Sequence, residues 1–215
     1  AVLAVFGRDF LSLGNAWLRS ITQRKLDAEA KLSWWALLAT IPAALMGALW
    51  EKQFEALFSQ PFYVALFLLV TGAWLAFADR LGRQERQAEE LRAWQALLIG
   101  VAQGLAIAPG ISRSGATMGA GLLSGLKRDA SARFSFLLSA PIILGAGLFQ
   151  IKKLLNAPNL AAMSLPLMLG FAAALVSGYA CIRFLLTYLR QHTLNVFAVY
   201  CWVVGLSVIA TYWLK

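Results

Sequence analysis

Nine residues decide the fold of this chain: Pro109-Gly110-Ile111-Ser112-Arg113-Ser114-Gly115-Ala116-Thr117. They interrupt an apolar run over residues 93–126, which is too long for one membrane span and carries a single charge, Arg113. Proline and glycine break the incoming helix. Backbone that is not helical is tolerated at membrane depth only where protein or water covers it. The sequence therefore predicts a helix, a loop and a second helix, which restarts near Ser114 or Gly115 with Ser114 as its N-cap.

The composition places this break inside a membrane protein. The chain has 215 residues, of which 60% are hydrophobic and 13% are charged. A soluble domain would carry about 25% charged residues, so we predict an all-α, polytopic membrane protein and exclude disordered, collagen-like and disulfide-scaffold chains. The single histidine excludes a multi-histidine metal cluster within the chain. Cys181 and Cys201 lie in apolar runs, and we predict that both are buried thiols.

Five further apolar segments are long enough to cross a bilayer. They are residues 33–50, 61–78, 134–151, 165–189 and 194–214. Residues 7–32 mix apolar and charged side chains, which is typical of an interfacial amphipathic helix or a basic loop. We expect residues 1–6 to be the stub of a span whose beginning is missing, and residues 1–215 to form one transmembrane domain, truncated at its N-terminus.

The basic residues predict how the chain is threaded. There are 19 lysines and arginines against 10 acidic residues, and most of the basic residues lie in four segments, 7–32, 79–92, 127–133 and 183–192. These segments fit the positive-inside rule if all four are cytoplasmic. This assignment of sides is consistent only if residues 93–126 enter and leave on the cytoplasmic side, as a re-entrant helix–loop–helix. Because the basic residues alternate with apolar runs, no nucleic-acid partner is expected.

An arginine inside the membrane predicts an anion site. Such a charge costs about 2.5 kcal/mol or more at the bilayer centre, and its planar fork matches phosphate oxygens. A helix that begins in the loop adds free N–H groups and a positive dipole end. The predicted ligands of a phosphate or diphosphate are the Arg113 side chain, the hydroxyls of Ser112, Ser114 and Thr117, and the backbone N–H groups of Gly115 and Ala116.

Alternatives accompany each of these assignments. The Arg113 side chain is also compatible with snorkelling to the interface or pairing with a distant carboxylate. Gln103 lies in the incoming helix, where its amide serves either helix packing or substrate binding. Glycines at four-residue spacing, among them Gly100 and Gly104, are typical of closely packed helices.

The motif also carries a family resemblance. Gln103-Gly104-Leu105-Ala106-Ile107-Ala108 leading into the quoted nine residues resembles the second signature of the undecaprenyl-diphosphate phosphatases, the bacitracin-resistance family. Residues 132–141 and 39–43 are similar to other segments of that family. The resemblance implies hydrolysis of undecaprenyl diphosphate to undecaprenyl phosphate, which recycles the lipid carrier of peptidoglycan synthesis. It also implies an inverted repeat with two re-entrant units and a site open to the periplasmic side of the bacterial inner membrane.

The family's first signature, a glutamate-rich stretch followed by proline, two serines and a histidine, does not occur in this sequence. All ten acidic residues are predicted to lie in loops. The resemblance implies a divalent cation, Mg²⁺ or Ca²⁺, and we expect its ligands, the nucleophile and the general base to come from that missing segment. We therefore predict no metal ligand in this chain and no activity for the chain alone.

Within the implied reaction, Arg113 would hold the diphosphate oxygens while Ser112, Ser114 and Thr117 donate hydrogen bonds to the same group. The partners are then a polyprenyl diphosphate lipid and the bilayer, and a homodimer is left open. A lipid or small-anion transporter is the alternative, because broken helices also build transporter sites. The type-2 phosphatidic-acid phosphatases are set aside because no histidine follows Ser112-Arg113 at the required spacing.

Overall fold

The computed structural model describes residues 1–155 and 160–213 of the chain. These residues form eight α-helices and no β-strand, which confirms the all-α prediction. A short 3₁₀ turn, Ala88–Glu90, precedes the fourth helix. The helices are α1 (Val2–Thr22), α2 (Ala28–Phe58), α3 (Pro61–Leu81), α4 (Ala93–Leu105), α5 (Arg113–Leu123), α6 (Arg128–Leu155), α7 (Leu160–Tyr188) and α8 (Asn195–Trp213).

Four helices in the described part of the chain are long and apolar enough to cross a membrane, namely α2, α3, α7 and α8. The predicted span 134–151 lies within α6. The helix predicted to end at Trp50 continues to Phe58, with a kink at Trp50 where φ and ψ leave the helical region. Large apolar side chains on these helices are exposed, for instance Leu169 and Phe171 on α7. Such a surface is stable against lipid rather than water, so the chain is a multi-pass membrane protein.

The N-terminal segment is a helix rather than a basic loop. Of residues 1–6, which we expected to be the stub of a span, residues 2–6 form the start of α1 and are set off from the rest of that helix by a kink at Phe6. The Phe6 ring is buried, stacks on Phe136 and packs with Leu137 and Ile182. This contact ties α1 to α6 and α7.

The basic segments that we assigned to one side of the membrane meet at one end of the molecule. Arg128, at the start of α6, forms an ion pair with Asp79 in the last turn of α3. Arg133 pairs with Asp9 of α1. Trp35 near the start of α2 donates a hydrogen bond from Nε1 to the backbone oxygen of Leu91. Three of the four segments are therefore joined by direct contacts.

Small residues bring the helices together, as the glycine spacing predicts. A Cβ on Gly100 of α4 would overlap the backbone of Ala39 in α2, and a Cβ on Gly119 of α5 would overlap the Trp74 ring of α3. Helix α3 packs along α8, where Gly72 lies against the Trp202 ring. The hairpin that contains the predicted site is thus held between α2 and α3.

Two predictions are wrong in part, the burial of Cys181 and the location of the acidic residues in loops. Cys181 is exposed, whereas Cys201 is buried, and both are free thiols. Acidic residues are not confined to loops, since Asp79 is buried at the end of α3 and Asp129 lies in the first turn of α6. In both cases the sequence shows the local hydropathy but not which helix face meets lipid and which meets protein.

Candidate active site

The predicted helix–loop–helix is a hairpin that returns to its starting point. The backbone N–H groups of Glu85 and Arg86 donate to the carbonyl oxygen of Gly125 at 3.0 Å, and the N–H of Lys127 donates to that of Arg86. The segments before α4 and after α5 are therefore joined side by side. With 13 and 11 residues, α4 and α5 extend about 20 Å and about 17 Å, which is less than the hydrocarbon core of about 30 Å.

The tip of the hairpin, residues 106–112, contains the expected backbone break. Gly110 has φ +91°, a conformation that residues with a Cβ rarely adopt. A Cβ at Gly110 would also overlap the carbonyl oxygen of Val64 in α3. Position 110 thus requires glycine for both conformation and space, because the tip packs directly on the α3 backbone.

The second helix starts earlier than predicted, at Arg113, and its N-cap is Ser112 rather than Ser114. The Ser112 Oγ accepts a hydrogen bond from the N–H of Gly115 at 3.1 Å, and its carbonyl oxygen accepts one from the N–H of Ala116 at 2.8 Å. Ser112 takes the extended backbone conformation of a cap residue, with φ −67° and ψ 116°. One residue therefore satisfies two of the N–H groups at the helix start.

This cap changes which backbone groups are available to a ligand. The N–H groups of Gly115 and Ala116, which the sequence analysis assigned to the phosphate, both donate to Ser112 instead. Among the residues that the structure describes, the N–H groups of Arg113 and Ser114 have no hydrogen-bond acceptor. The free donors at the tip are thus two residues closer to the loop than predicted.

The Arg113 side chain is partly buried at the first position of α5. Within residues 1–155 and 160–213 it forms no ion pair and no hydrogen bond. The suggested pairing with a distant carboxylate is therefore not observed in this part of the chain. A partly buried cation without a counter-ion attracts an anion strongly, because water screens it less than a surface charge.

The three predicted hydroxyls point in two directions. Ser112 and Ser114 have their Oγ atoms 3.4 Å apart, and with Gly115 they line a cavity of about 480 Å³ between α3, α5 and α8. Thr117 is buried on the next face of α5, where its Oγ1 donates to the carbonyl oxygen of Arg113 and lies 2.6 Å from the Oγ of Ser135 in α6. The structure thus brings Ser112 and Ser114 together at the cavity, whereas Thr117 faces α6.

Gln103 is 1% exposed in α4, one turn before the break. Neither its Nε2 nor its Oε1 has a hydrogen-bond partner among the described residues. A buried amide with no partner costs about 1–3 kcal/mol, so packing alone does not explain this side chain.

Thr71 of α3 contacts the tip, although the sequence analysis did not single it out. Its Oγ1 donates to the carbonyl oxygen of Gly110 at 3.2 Å and accepts from the N–H of Ser112 at 3.3 Å. One turn further along α3, Trp74 Nε1 donates to the carbonyl oxygen of Ala116. The only signal in the sequence is a polar residue and a tryptophan in an apolar span.

The residues at the tip do not fit a divalent cation. Mg²⁺ and Ca²⁺ take oxygen ligands with carboxylates among them, whereas the tip presents a guanidinium, hydroxyls and N–H donors. Within the part of the chain that the structure describes, no group of three or more histidine, cysteine, aspartate or glutamate side chains is close enough to hold a metal ion. We therefore derive no chemical step from a metal.

Fold and site together define a multi-pass helical membrane protein whose hairpin is broken next to a partly buried arginine. A family model described as bacitracin resistance protein BacA matches residues 1–207. The chain belongs to this family, which confirms the resemblance found in its sequence motifs.

Several curated relatives are similar over most of the chain. Undecaprenyl-diphosphatase of Moorella thermoacetica is 41% identical over 216 residues, which is 100% of this chain and 79% of that protein. Undecaprenyl-diphosphatase of Methanothermobacter thermautotrophicus is 49% identical over 177 residues, 81% of this chain and 97% of that protein. Undecaprenyl-diphosphatase of Rubrobacter xylanophilus is 42% identical over 202 residues, 93% of this chain and 74% of that protein.

Proposed function

We propose that this protein hydrolyses undecaprenyl diphosphate to undecaprenyl phosphate and inorganic phosphate, and that its hairpin tip binds the diphosphate. The observation that carries the proposal is the unpaired, partly buried Arg113 at the start of α5, beside two N–H groups that are also free among the described residues. The relatives named undecaprenyl-diphosphatase supply the substrate. No similar support exists for the transporter alternative.

The tip suits the electrostatic part of phosphoanhydride hydrolysis. As the bond between the two phosphoryl groups breaks, negative charge accumulates on the leaving phosphate and on the transferred phosphoryl oxygens, and catalysis depends on positioning and charge stabilisation. The two-pronged Arg113 guanidinium binds these oxygens, and the N–H groups of Arg113 and Ser114 donate to them. The Ser112 and Ser114 hydroxyls face the cavity beside the tip and donate from that side.

Thr117 and Gln103 support this arrangement in different ways. Thr117 holds the carbonyl oxygen of Arg113 from behind the helix and links it to Ser135 of α6. The two polar atoms of the Gln103 amide have no partner among the described residues, and we assign them to the bound headgroup or to its water. No carboxylate or imidazole in the described residues forms an ion pair or a hydrogen bond with the Arg113 side chain, so we assign no general base.

The expected divalent cation, Mg²⁺ or Ca²⁺, remains part of the proposal. Because the tip presents donors and a positive charge, the ligands of such an ion would be residues other than those of the tip. We further propose that the protein lies in the bacterial inner membrane with the tip open to the periplasmic side. The clustering of basic segments at the opposite end of the hairpin supports this orientation. A homodimer is an additional proposal.

The proposal is tested by phosphate release in detergent from purified protein expressed from its complete coding sequence. Undecaprenyl diphosphate is the substrate, and the protein with Arg113→Ala is the matched control. We expect release of one phosphate per lipid by the unmodified protein and a large loss in the variant. Movement of the lipid across vesicles without phosphate release would overturn the proposal and favour a transporter.

A further inference from the structure

The hydroxyl of Thr71 in α3 is used differently from four other hydroxyls of the membrane-spanning helices. Thr40, Ser177, Thr187 and Ser207 each donate to the carbonyl oxygen four residues earlier in their own helix. This is the usual arrangement when such a residue faces an apolar environment. Thr71 of α3 is 2% exposed, and its hydroxyl makes both of its hydrogen bonds to the hairpin tip.

The two bonds fix the backbone on both sides of Ile111. Thr71 Oγ1 donates to the carbonyl oxygen of Gly110 and accepts from the N–H of Ser112, so that one rigid helix holds two successive peptide groups. The second of these groups belongs to the N-cap residue, whose orientation sets the direction of α5. Arg113 follows directly at the first position of that helix.

The surroundings of Thr71 leave little freedom for a substitute partner. Its Cγ2 methyl lies 3.5 Å from where a Cβ on Gly115 would be, so the side chain also contacts the start of α5. Trp74 binds the carbonyl oxygen of Ala116 from the same face of α3. Hydrogen bonds from α3 thus hold the hairpin tip and the start of α5 in place.

We infer that Thr71 is a positioning residue for the hydrolysis, which acts through Ser112 to orient Arg113 and the free N–H groups of Arg113 and Ser114 towards the diphosphate. The inference rests on the proposed function. A displacement of about 1 Å in such a constellation lowers turnover by up to about a hundredfold. In this role Thr71 contacts the hairpin tip and neither the substrate nor the reacting atoms.

The test compares Thr71→Val, which keeps the shape and loses the hydroxyl, with Thr71→Ser, which keeps the hydroxyl. Thr40→Val is the matched control, because its hydroxyl only bonds within α2. In phosphate-release assays on protein expressed from the complete coding sequence, we expect kcat of T71V to fall about tenfold or more. We expect T71S and T40V to stay within about twofold of the unmodified protein, and KM to change little in all three.

A second measurement separates this inference from the proposed function. Hydrogen–deuterium exchange of the Ser112 amide reports its bond to Thr71 without any substrate. We expect faster exchange in T71V and unchanged exchange in T71S and T40V. Normal exchange and normal kcat in T71V would overturn the inference. Altered exchange in a protein that releases no phosphate would instead contradict the proposed function and leave the role of Thr71 in holding the tip intact.

Discussion

Each end of the α4–α5 hairpin has an arginine at the start of a helix, and the two arginines differ in their partners. At the base, Arg128 donates from Nε and a terminal nitrogen to both carboxylate oxygens of Asp79, at 2.7 and 3.1 Å. At the tip, Arg113 has no counter-ion among the described residues. Both are partly buried. The base thus neutralises its arginine with a carboxylate of the chain, whereas the tip is where we propose that the diphosphate neutralises Arg113.

The largest expected effect concerns the unpaired arginine. Arg113→Ala removes the charge and the forked donor, so we expect kcat/KM for undecaprenyl diphosphate to fall about 1,000-fold, or about 4 kcal/mol. Arg113→Lys keeps a point charge and should fall about 100-fold. Arg183→Lys, on the exposed side of α7, is the control and should change the rate less than about twofold. Equal losses of activity at positions 113 and 183 would contradict a specific role of Arg113 in binding the diphosphate.

At the base, the same type of change should alter stability instead of catalysis. Asp79→Ala leaves Arg128 without its partner, and loss of one member of a largely buried ion pair costs about 3 kcal/mol. We expect a lower melting temperature and an unchanged KM for the fraction that remains folded. Asp129→Ala removes an acid one residue away from Arg128, with no ion pair in the described structure, and should cost less than about 1 kcal/mol. A KM change in D79A without loss of stability would contradict the structural role of the base.

Gly110→Ala tests whether the tip depends on its backbone conformation. The positive φ costs a residue with a Cβ about 1–2 kcal/mol, and the new Cβ would overlap the Val64 carbonyl oxygen. We expect at least about tenfold lower kcat, since the tip must move away from α3. Gly170→Ala in α7 has open space around it and serves as the control. Normal turnover of G110A would show that the tip does not need its present geometry.

The smallest effect separates the two serines of the tip. Ser112→Ala removes the N-cap hydrogen bond to Gly115 and should cost about 1 kcal/mol of stability. Ser114→Ala removes a hydroxyl that caps nothing, so its stability should change by less than about 0.5 kcal/mol while kcat/KM falls. Thermal melting and phosphate release on the same preparations check both. A larger stability loss for S114A than for S112A would contradict the cap assignment.

The sequence predicts the tip much better than it predicts what holds it. Pro109 and Gly110 break a helix through local chemistry, and a charge amid apolar residues stands out, so the hairpin and Arg113 are visible without coordinates. Thr71 contacts residues 39 and 41 positions away, and nothing local distinguishes its hydroxyl from that of Thr40. Pairing of Asp79 with Arg128 is equally long-range, which is why both appear in the sequence as ordinary loop charges.

The position of the N-cap is another feature that the local sequence does not determine. Ser112 and Ser114 have the same capping preference, and the choice between them depends on which residue of the loop is bonded to α3. Because the tertiary bond from Ser112 N–H to Thr71 selects Ser112, the free N–H groups shift to Arg113 and Ser114. A two-residue shift in the expected donors thus follows from one contact that the local sequence does not encode.

The most direct test of the account is a structure of the protein, expressed from its complete coding sequence, with a non-hydrolysable diphosphonate analogue of the lipid. We predict that both headgroup phosphorus centres lie at the hairpin tip, with the Arg113 guanidinium about 3 Å from their oxygens and Arg128 still paired with Asp79. A headgroup bound elsewhere, with the Arg113 side chain turned away from it, would show that the hairpin tip is not the diphosphate site.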